Sequence, residues 1–177
     1  AHPAVQQSVI GLLGHNALLV SVATVLFGAA MTPIAIRTGR REWLQLTYGA
    51  VYTNFLLVTV ATVAMVVALV MHDFSVSYVA NVGSRTTPLL FTIISLWGAL
   101  EGSILFWAWV LGLYAAAVVW LHHRRPGNLV PYAAMTLLAV AAFFGILLVG
   151  PADPFVPVFP VPLDGPGPST LLQNHIL

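Results

Sequence analysis

Four long apolar runs divide the chain, and short polar stretches separate them. The runs occupy residues 9–36, 43–71, 88–121 and 129–149. A helix needs about 20 apolar residues to cross the hydrocarbon core of a bilayer, and helices satisfy all their backbone amides within one segment. The pattern therefore predicts an all-α integral membrane protein in which four transmembrane helices form one module over residues 1–149.

A proline-rich segment, residues 150–177, follows the fourth run. Proline fixes φ and lacks an N–H, so we expect an extended chain there rather than a helix. The last letters, STLLQNHIL, are typical of a new helix with Ser169 or Thr170 as its N-cap. We therefore expect the tail to lead into a further helix that these residues do not complete.

Arginine is concentrated in the first and third connections between the runs: Arg37, Arg40, Arg41, Arg124 and Arg125. The other two connections contain Arg85 alone. By the positive-inside rule, the arginine-rich connections are predicted to be cytoplasmic. Both termini and the proline-rich tail then lie outside, so the functional face of this membrane protein is expected toward the outer compartment.

The composition supports this prediction and excludes several kinds of chemistry. Hydrophobic residues make up 59% of the chain and charged residues 6%, whereas a soluble domain carries roughly 25% charged residues. A net charge of +1 gives no reason to expect nucleic-acid binding. The absence of cysteine excludes disulfides, thiolate catalysis and cysteine-ligated metals within these 177 residues.

One carboxylate interrupts the third apolar run, in the stretch LWGALEGSILFW. Its polar, small and tryptophan residues are candidate site residues: Trp97, Gly98, Glu101, Gly102, Ser103 and Trp107. In a continuous helix Glu101 would lie about 35 Å from Arg124, near the outer boundary. Two interpretations stay open, a ligand- or partner-facing acid and an acid paired with an arginine or a helix backbone. Glycines four residues apart would also admit a neighbouring helix.

Other polar residues in the runs allow weaker hypotheses. His15 could ligate haem iron, or it could only hydrogen-bond a neighbour. His72 and Asp73 fit a helix C-terminus and turn better than an acid–base pair, because no nucleophile accompanies them. Asn54 is expected to make an interhelical hydrogen bond.

Several stretches together resemble one known family. HDFSVSYVA follows the second run, WGALEGSILFW lies in the third, and PFVPVFPVPLDGPGPSTLLQN follows the fourth; LGHNALLVSV in the first run fits as well. They resemble the N-terminal part of the CcmF/NrfE family of cytochrome c biogenesis proteins, the haem lyase subunits of the haem-handling superfamily. The first stretch supplies an outer loop motif, whose candidate residues are Asp73, Phe74, Ser75 and Tyr78.

The resemblance implies a place in cytochrome c maturation and in the plasma (inner) membrane, with the functional face toward the periplasm. Members of the family hold a haem b, receive haem from a haem chaperone and attach it to the C-x-x-C-H thiols of an apocytochrome. The implied partners are the haem chaperone, apocytochrome c with its thiol-reducing chaperone subunit, and the remainder of the haem lyase. This chain would scaffold the site of haem transfer, with the residues around Glu101 facing haem or its chaperone.

The chain also departs from the family pattern. The tryptophan-rich haem-binding segment and the H-P-P element are missing from these 177 residues, and Leu100 stands where many relatives have histidine. The resemblance therefore implies that the ligands of haem b lie elsewhere in the parent protein and that this portion alone is not catalytic. Whether it is a fragment or one product of a split gene stays open.

Two other functions remain open on the sequence. The chain could belong to a membrane transporter or proton-translocating complex, with Glu101 as the ion-handling acid. Such sites usually lie near the membrane midplane, often at broken helices. A purely structural assembly subunit without a ligand is the third interpretation.

Overall fold

The computed structural model describes residues 8–124, 127 and 129–165 of the chain. The structure is 77% helix and, within the described residues, contains no strand, which confirms the all-α prediction. Six α-helices follow one another, and a short 3₁₀ turn, Ser95–Trp97, precedes the fifth: α1 Val9–Thr38, α2 Arg41–Val70, α3 Ser77–Val82, α4 Leu89–Ile94, α5 Leu100–His122 and α6 Leu129–Val149.

Four of these helices, α1, α2, α5 and α6, are long and apolar enough to cross a membrane, with 30, 30, 23 and 21 residues. Together with the sequence, they confirm a multi-pass membrane protein. The long helices form a ring, since α1 packs on α2 and α6, and α5 packs on the same two helices. Two apolar clusters fill the interior of this ring.

Two polar contacts join α1 to α2 within the membrane-spanning part. The Ser21 hydroxyl donates to Asn54 Oδ1 at 2.7 Å, and both side chains are buried. The hydroxyls of Thr32 and Thr47 lie 3.2 Å apart, also buried. The expected interhelical bond of Asn54 is thereby confirmed, and such bonds contribute about 0.6 kcal/mol each on average.

The third apolar run departs from the prediction. Instead of one helix over residues 88–121, it contains α4, the 3₁₀ turn, and then α5, which begins at Leu100. Ala99 is fully extended, with φ −133° and ψ 171°, so the helical path breaks there. Gly98, a poor helix former, immediately precedes the break. The membrane-spanning part of this run is therefore α5, 23 residues long.

The two ends of the bundle differ in their chemistry. At one end, hereafter the arginine end, lie Arg37, Arg40, Arg41 and Arg124. At the other, hereafter the capped end, residues 71–99 and 150–165 lie together beyond the long helices. The further helix expected near Ser169 lies outside the described residues.

Residues 151–165, hereafter the strap, lie across the connection between α2 and α4. The Ser77 N–H donates to Val156 O at 2.8 Å, and the Val158 N–H donates to Ser75 O at 3.0 Å. Further along, the Arg85 N–H donates to Asp164 Oδ1 at 3.0 Å and holds the pKa of that exposed carboxyl below its ordinary value. Residues 151–165 are non-helical, contain several turns and fold back onto the capped end through a bridge between Val76 and Pro157.

Candidate functional site

A buried tyrosine hydroxyl organises the break before α5. Tyr78 is 2% exposed, and its hydroxyl lies 2.7 Å from the carbonyl oxygens of both Ser95 and Leu96. The same oxygen accepts the N–H of Ala99 at 3.3 Å. Three backbone groups that a continuous helix would have paired internally therefore have a side-chain partner. This partner explains how the chain leaves the helical path next to an apolar interior.

The close approach of Tyr78 to α5 requires a glycine at position 102. A Cβ added to Gly102 would overlap the Leu96 carbonyl oxygen and the Tyr78 hydroxyl. Gly98 is exposed and lies before α5. The expectation that these two glycines form one helix surface is therefore wrong, because the break separates them. Gly102 instead permits the close contact of α5 with Tyr78 of α3.

Glu101 lies in the first turn of α5, at the capped end, and is half-buried. An acidic side chain there interacts favourably with the partial positive charge of a helix N-terminus. Ser103, two residues later, donates its hydroxyl to the Trp97 carbonyl at 3.0 Å and so ties the 3₁₀ turn to α5. Trp97 lies in the 3₁₀ turn that precedes α5, so it and Glu101 do not share a helix face.

Aromatic rings form a continuous cluster over the 3₁₀ turn and the N-terminal half of α5. The centroid of Trp97 is 5.3 Å from that of Phe106, which lies 6.0 Å from Trp107 and 6.3 Å from Trp109. Trp97 and Trp107 are 47% and 58% exposed, whereas Trp109 points inward and donates its indole N–H to Thr59 Oγ1 at 3.1 Å. The outer members thus present aromatic surface. We call Trp97, Glu101, Ser103 and Trp107 the rim residues.

Burial and the nearby Glu101 charge raise the pKa of Tyr78 to about 12. The unfolded chain has the ordinary value of 10.0. Between these two pH values the folded protein keeps a proton that the unfolded chain has lost, so stability falls as pH rises through this window. We expect a steeper decline in melting temperature over this window for the wild type than for Tyr78→Phe, measured by differential scanning fluorimetry. Equal slopes would contradict the assignment.

The other residues of the outer loop motif build the cap. Asp73 Oδ1 accepts the N–H and the hydroxyl of Ser75, which closes a turn after α2. Phe74 is 3% exposed, and the guanidinium of Arg85 lies 5.8 Å from its ring centroid. His72 takes a left-handed conformation, with φ 53°. Apart from Tyr78, this motif shapes the loop on which the strap lies.

His15 pairs with a residue of the strap. Its Nδ1 lies 2.8 Å from Oδ2 of Asp153, whose side chain is 8% exposed, against 38% for the imidazole. Asp153 Oδ1 accepts the N–H of Phe155 at 2.9 Å. The Phe155 ring covers Gly14, where an added Cβ would overlap it. His15 thus helps to hold the strap on α1, and haem ligation, which would fall to Nε2, stays a prediction.

The predicted site residues therefore lie in separate parts of the structure. Trp97, Ser103 and Trp107 lie with Glu101 at the start of α5, and Tyr78 braces the turn that precedes them. His15 lies on α1, which packs on α2 and α6 rather than on α5. Sequence reasoning missed the ring of Phe106, which links the two exposed tryptophans, and the strap residues Asp153 and Phe155. Trp107 and Trp109 are two residues apart and therefore lie on different sides of a helix, which is the one sequence signal that Trp109 points inward.

A metal ion and a haem make different demands on the residues that would hold them. In residues 8–124, 127 and 129–165, no group of three or more histidine, aspartate or glutamate side chains comes together to hold a metal ion. Haem makes a smaller demand, because the porphyrin supplies four of the iron's donors and needs apolar surface around it. The exposed rings of Trp97 and Trp107 fit the second requirement.

Comparison with known proteins identifies relatives along nearly the whole chain. No family model matches it. It is 28% identical over 166 residues to the cytochrome c-type biogenesis protein CcmF of Haemophilus influenzae, which covers 93% of this chain. It is 29% identical over 163 residues to CcmF of Pseudomonas aeruginosa, and 28% identical over 148 residues to the probable cytochrome c-type biogenesis protein NrfE of Escherichia coli.

A solved structure agrees with these relatives. The structure of the cytochrome c heme lyase CcmF matches 85% of this chain with a TM-score of 0.73 and 31% identity. The matched part amounts to 25% of that structure's chain and 26% of the Haemophilus influenzae protein, so this chain spans about a quarter of its relatives' length. Over 92% of its residues this chain is a homologue of the CcmF, NrfE and CycK cytochrome c biogenesis proteins, which confirms the resemblance found in its motifs.

Proposed function

We propose that this chain is a membrane-embedded scaffold of a cytochrome c maturation haem lyase, and that its rim residues face the place where haem meets apocytochrome c. The proposal rests on the cluster near the start of α5, where exposed Trp97 and Trp107 pack on Phe106 at the end of the bundle that carries Glu101. The homology to cytochrome c biogenesis proteins, one of them named a heme lyase, gives this cluster its context.

In this proposal the capped end faces the periplasm and the arginine end faces the cytoplasm of the inner membrane. The positive charges of Arg37, Arg40, Arg41 and Arg124 support that orientation. Haem delivered by a chaperone would then reach the rim from the same side as the apocytochrome and its thiol-reducing subunit. In the opposite orientation the rim residues would face the cytoplasm, away from the haem chaperone and the apocytochrome.

The chain's own residues would contact haem rather than carry out the attachment. Trp97 and Trp107 would hold the porphyrin by apolar and stacking contact, and Glu101 would meet a polar group of haem or of its chaperone. Haem, when bound, supplies the vinyl groups that the apocytochrome thiols attack. In this proposal the ligands of a b-type haem belong to the part of the relatives' length that this chain does not match.

The rival proposal, an ion-handling acid in a transporter, requires Glu101 near the middle of the membrane. Glu101 is the second residue of α5, whereas the middle of that helix lies about ten residues further on, or about 15 Å away. The break before α5 is a feature that transporters share, but its backbone groups are already paired with Tyr78. The position of the acid therefore favours a role at the bundle end.

Glu101→Gln is expected to lower the yield of haem-stained c-type cytochrome by about tenfold, as when one contact of about 1.4 kcal/mol is lost from the productive complex. The measurement is haem staining of membranes from cells in which the variant replaces the wild-type gene. Glu42→Gln is the matched control, because Glu42 lies in the first turn of α2 at the arginine end. Equal yields for the two variants, at equal protein levels, would remove Glu101 from the proposal.

A further inference from the structure

A groove between α1 and α2 reaches from the arginine end toward the middle of the span. Two of its lining residues, Val20 and Phe27, are 53% and 50% exposed, so the groove opens to the surroundings of the bundle. For a membrane-spanning helix pair these surroundings are lipid. The groove holds about 500 Å³, and its lining includes Val20, Ala23 and Phe27 of α1 and Gln45, Gly49 and Thr53 of α2.

Gly49 keeps this groove open. It is the ninth residue of α2, inside the helix, where glycine is less favourable than alanine. A Cβ added there would meet no atom of the described residues within 4 Å, whereas a Cβ at Gly28 or Gly145 would overlap a side chain of the neighbouring helix. Packing inside the bundle therefore explains the other two glycines but not Gly49. Its place in the groove indicates something that approaches the backbone of α2 from outside.

The levels of the residues along α2 match the layers of a phospholipid. The helix is about 45 Å long, close to the thickness of a bilayer with its headgroups, so about 7 Å at each end lies outside the hydrocarbon. Arg41 begins the helix at headgroup level, and Gln45 lies about 6 Å further, at the hydrocarbon boundary. Its amide N–H can donate to the ester carbonyl that joins a headgroup to its acyl chain. Gly49 and Thr53, about 12 Å and 18 Å from Arg41, lie at the level of the chains.

The end of the groove nearest the turn between α1 and α2 carries a positive charge. Arg37, Arg40 and Arg41 lie in this turn or beside it, and Glu42 is the one acid among residues 37–42. Each arginine near a membrane surface strengthens the binding of an anionic lipid by about fivefold. A phospholipid with a net negative charge therefore complements this end better than a zwitterionic one.

A second groove between the same helices provides a contrast. It lies in the half nearer the capped end, holds about 360 Å³, and its lining includes Leu13, Val63 and Val67. No charged residue occurs in residues 55–71 of α2. The hydroxyl of Thr59, its polar lining residue, already donates to the Phe55 carbonyl at 2.7 Å. Acyl chains can fill such a surface without any selection of headgroup.

We propose that the groove at the arginine end binds one anionic phospholipid of the adjacent leaflet. Its phosphate lies at Arg41 and the neighbouring arginines, an ester carbonyl accepts from Gln45, and an acyl chain passes over Gly49. The site is formed by α1 and α2, whereas the rim residues lie on α5 and the turn before it. The proposal is therefore independent of haem contact.

The experiment counts lipids on the complete protein, purified with its partners in detergent, by native mass spectrometry. Phosphatidylglycerol and phosphatidylcholine with identical acyl chains are titrated separately. We expect the wild type to retain one phosphatidylglycerol molecule at least fivefold more tightly than phosphatidylcholine. Gly49→Leu, which fills the groove, should lose this molecule, and Arg41→Gln should bind it about fivefold more weakly.

Two matched controls should retain the lipid. Val63→Phe fills the second groove, and Arg124→Gln removes an arginine that follows α5, a helix that does not line the site. Equal phosphatidylglycerol binding by the wild type and Gly49→Leu would overturn the proposal. Equal affinities of the wild type for the two lipids would overturn it as well, because acyl chains alone would then fill the groove.

The melting temperature of Gly49→Leu, measured in lipid-free detergent, distinguishes a lost ligand from a damaged fold. Leucine replaces a glycine that is unfavourable inside a helix and meets no neighbour among the described residues, so the melting temperature should not fall. A clear fall would mean that a protein segment packs on Gly49, and it would overturn the assignment of the groove to a lipid.

Discussion

Phe155→Ala is expected to destabilise the capped end by about 3–5 kcal/mol and to release the strap from α1, because a buried aromatic side chain is lost together with its packing. Phe155 is 3% exposed, and its ring covers Gly14 so closely that no other residue fits there. The measurement is limited proteolysis of the strap, together with the thermal unfolding midpoint of the purified protein.

Phe159→Ala is the matched control for this experiment. Phe159 belongs to the same strap but is 67% exposed, so its loss removes little buried surface. We expect cleavage within residues 151–165 to accelerate strongly for Phe155→Ala and to stay near the wild-type rate for Phe159→Ala. Similar rates for both variants would mean that Phe155 does not anchor the strap.

Gly102→Ala is expected to cost about 3 kcal/mol of folding free energy, at the upper end of the typical range for overpacking. The added methyl group would overlap the Leu96 carbonyl oxygen and the Tyr78 hydroxyl, so either α5 or the turn before it must move. Both the thermal midpoint and the tryptophan fluorescence should change, because Trp97 lies in that turn.

The neighbouring glycine is the control for this substitution. A Cβ at Gly98 would lie 3.3 Å from the Ser95 carbonyl oxygen, a contact that a small movement relieves. Gly98→Ala should therefore leave stability nearly unchanged. If the two alanine variants were equally stable, the close packing of α5 on Tyr78 would be wrong.

The four membrane-spanning helices could be predicted from the sequence because hydropathy acts over neighbouring residues and the bilayer sets the length. The prediction is less accurate where distant residues decide the outcome. Nothing within the stretch around Ala99 signals an extended residue, since the stabilising hydroxyl of Tyr78 is 21 positions away. The apolar pattern therefore predicts one helix through the break, with Gly98 and Gly102 on one surface.

In the candidate site, too, the sequence indicates some residues but not the contacts between distant parts of the chain. The sequence predicts the rim residues because a charge, glycines and tryptophans interrupt an otherwise apolar run. The pairing of His15 with Asp153 could not be found, because it joins α1 to the strap across almost the whole chain. The hydrogen bonds of Tyr78 to the turn before α5 also join distant parts of the chain, so the motif that contains Tyr78 does not predict them.

The position of the strap in the chain also determines when the capped end can close during synthesis. Its contact between Arg85 and Asp164 joins residues 79 positions apart, and α5 and α6 lie between them. As the chain is made from its N-terminus, Tyr78 and the turn at Ser95–Trp97 are synthesised well before the strap that closes over their loop. The capped end can therefore close only after all four long helices have been synthesised. An assembly factor that acts on this surface would meet it open while synthesis continues and closed once the strap has followed α6.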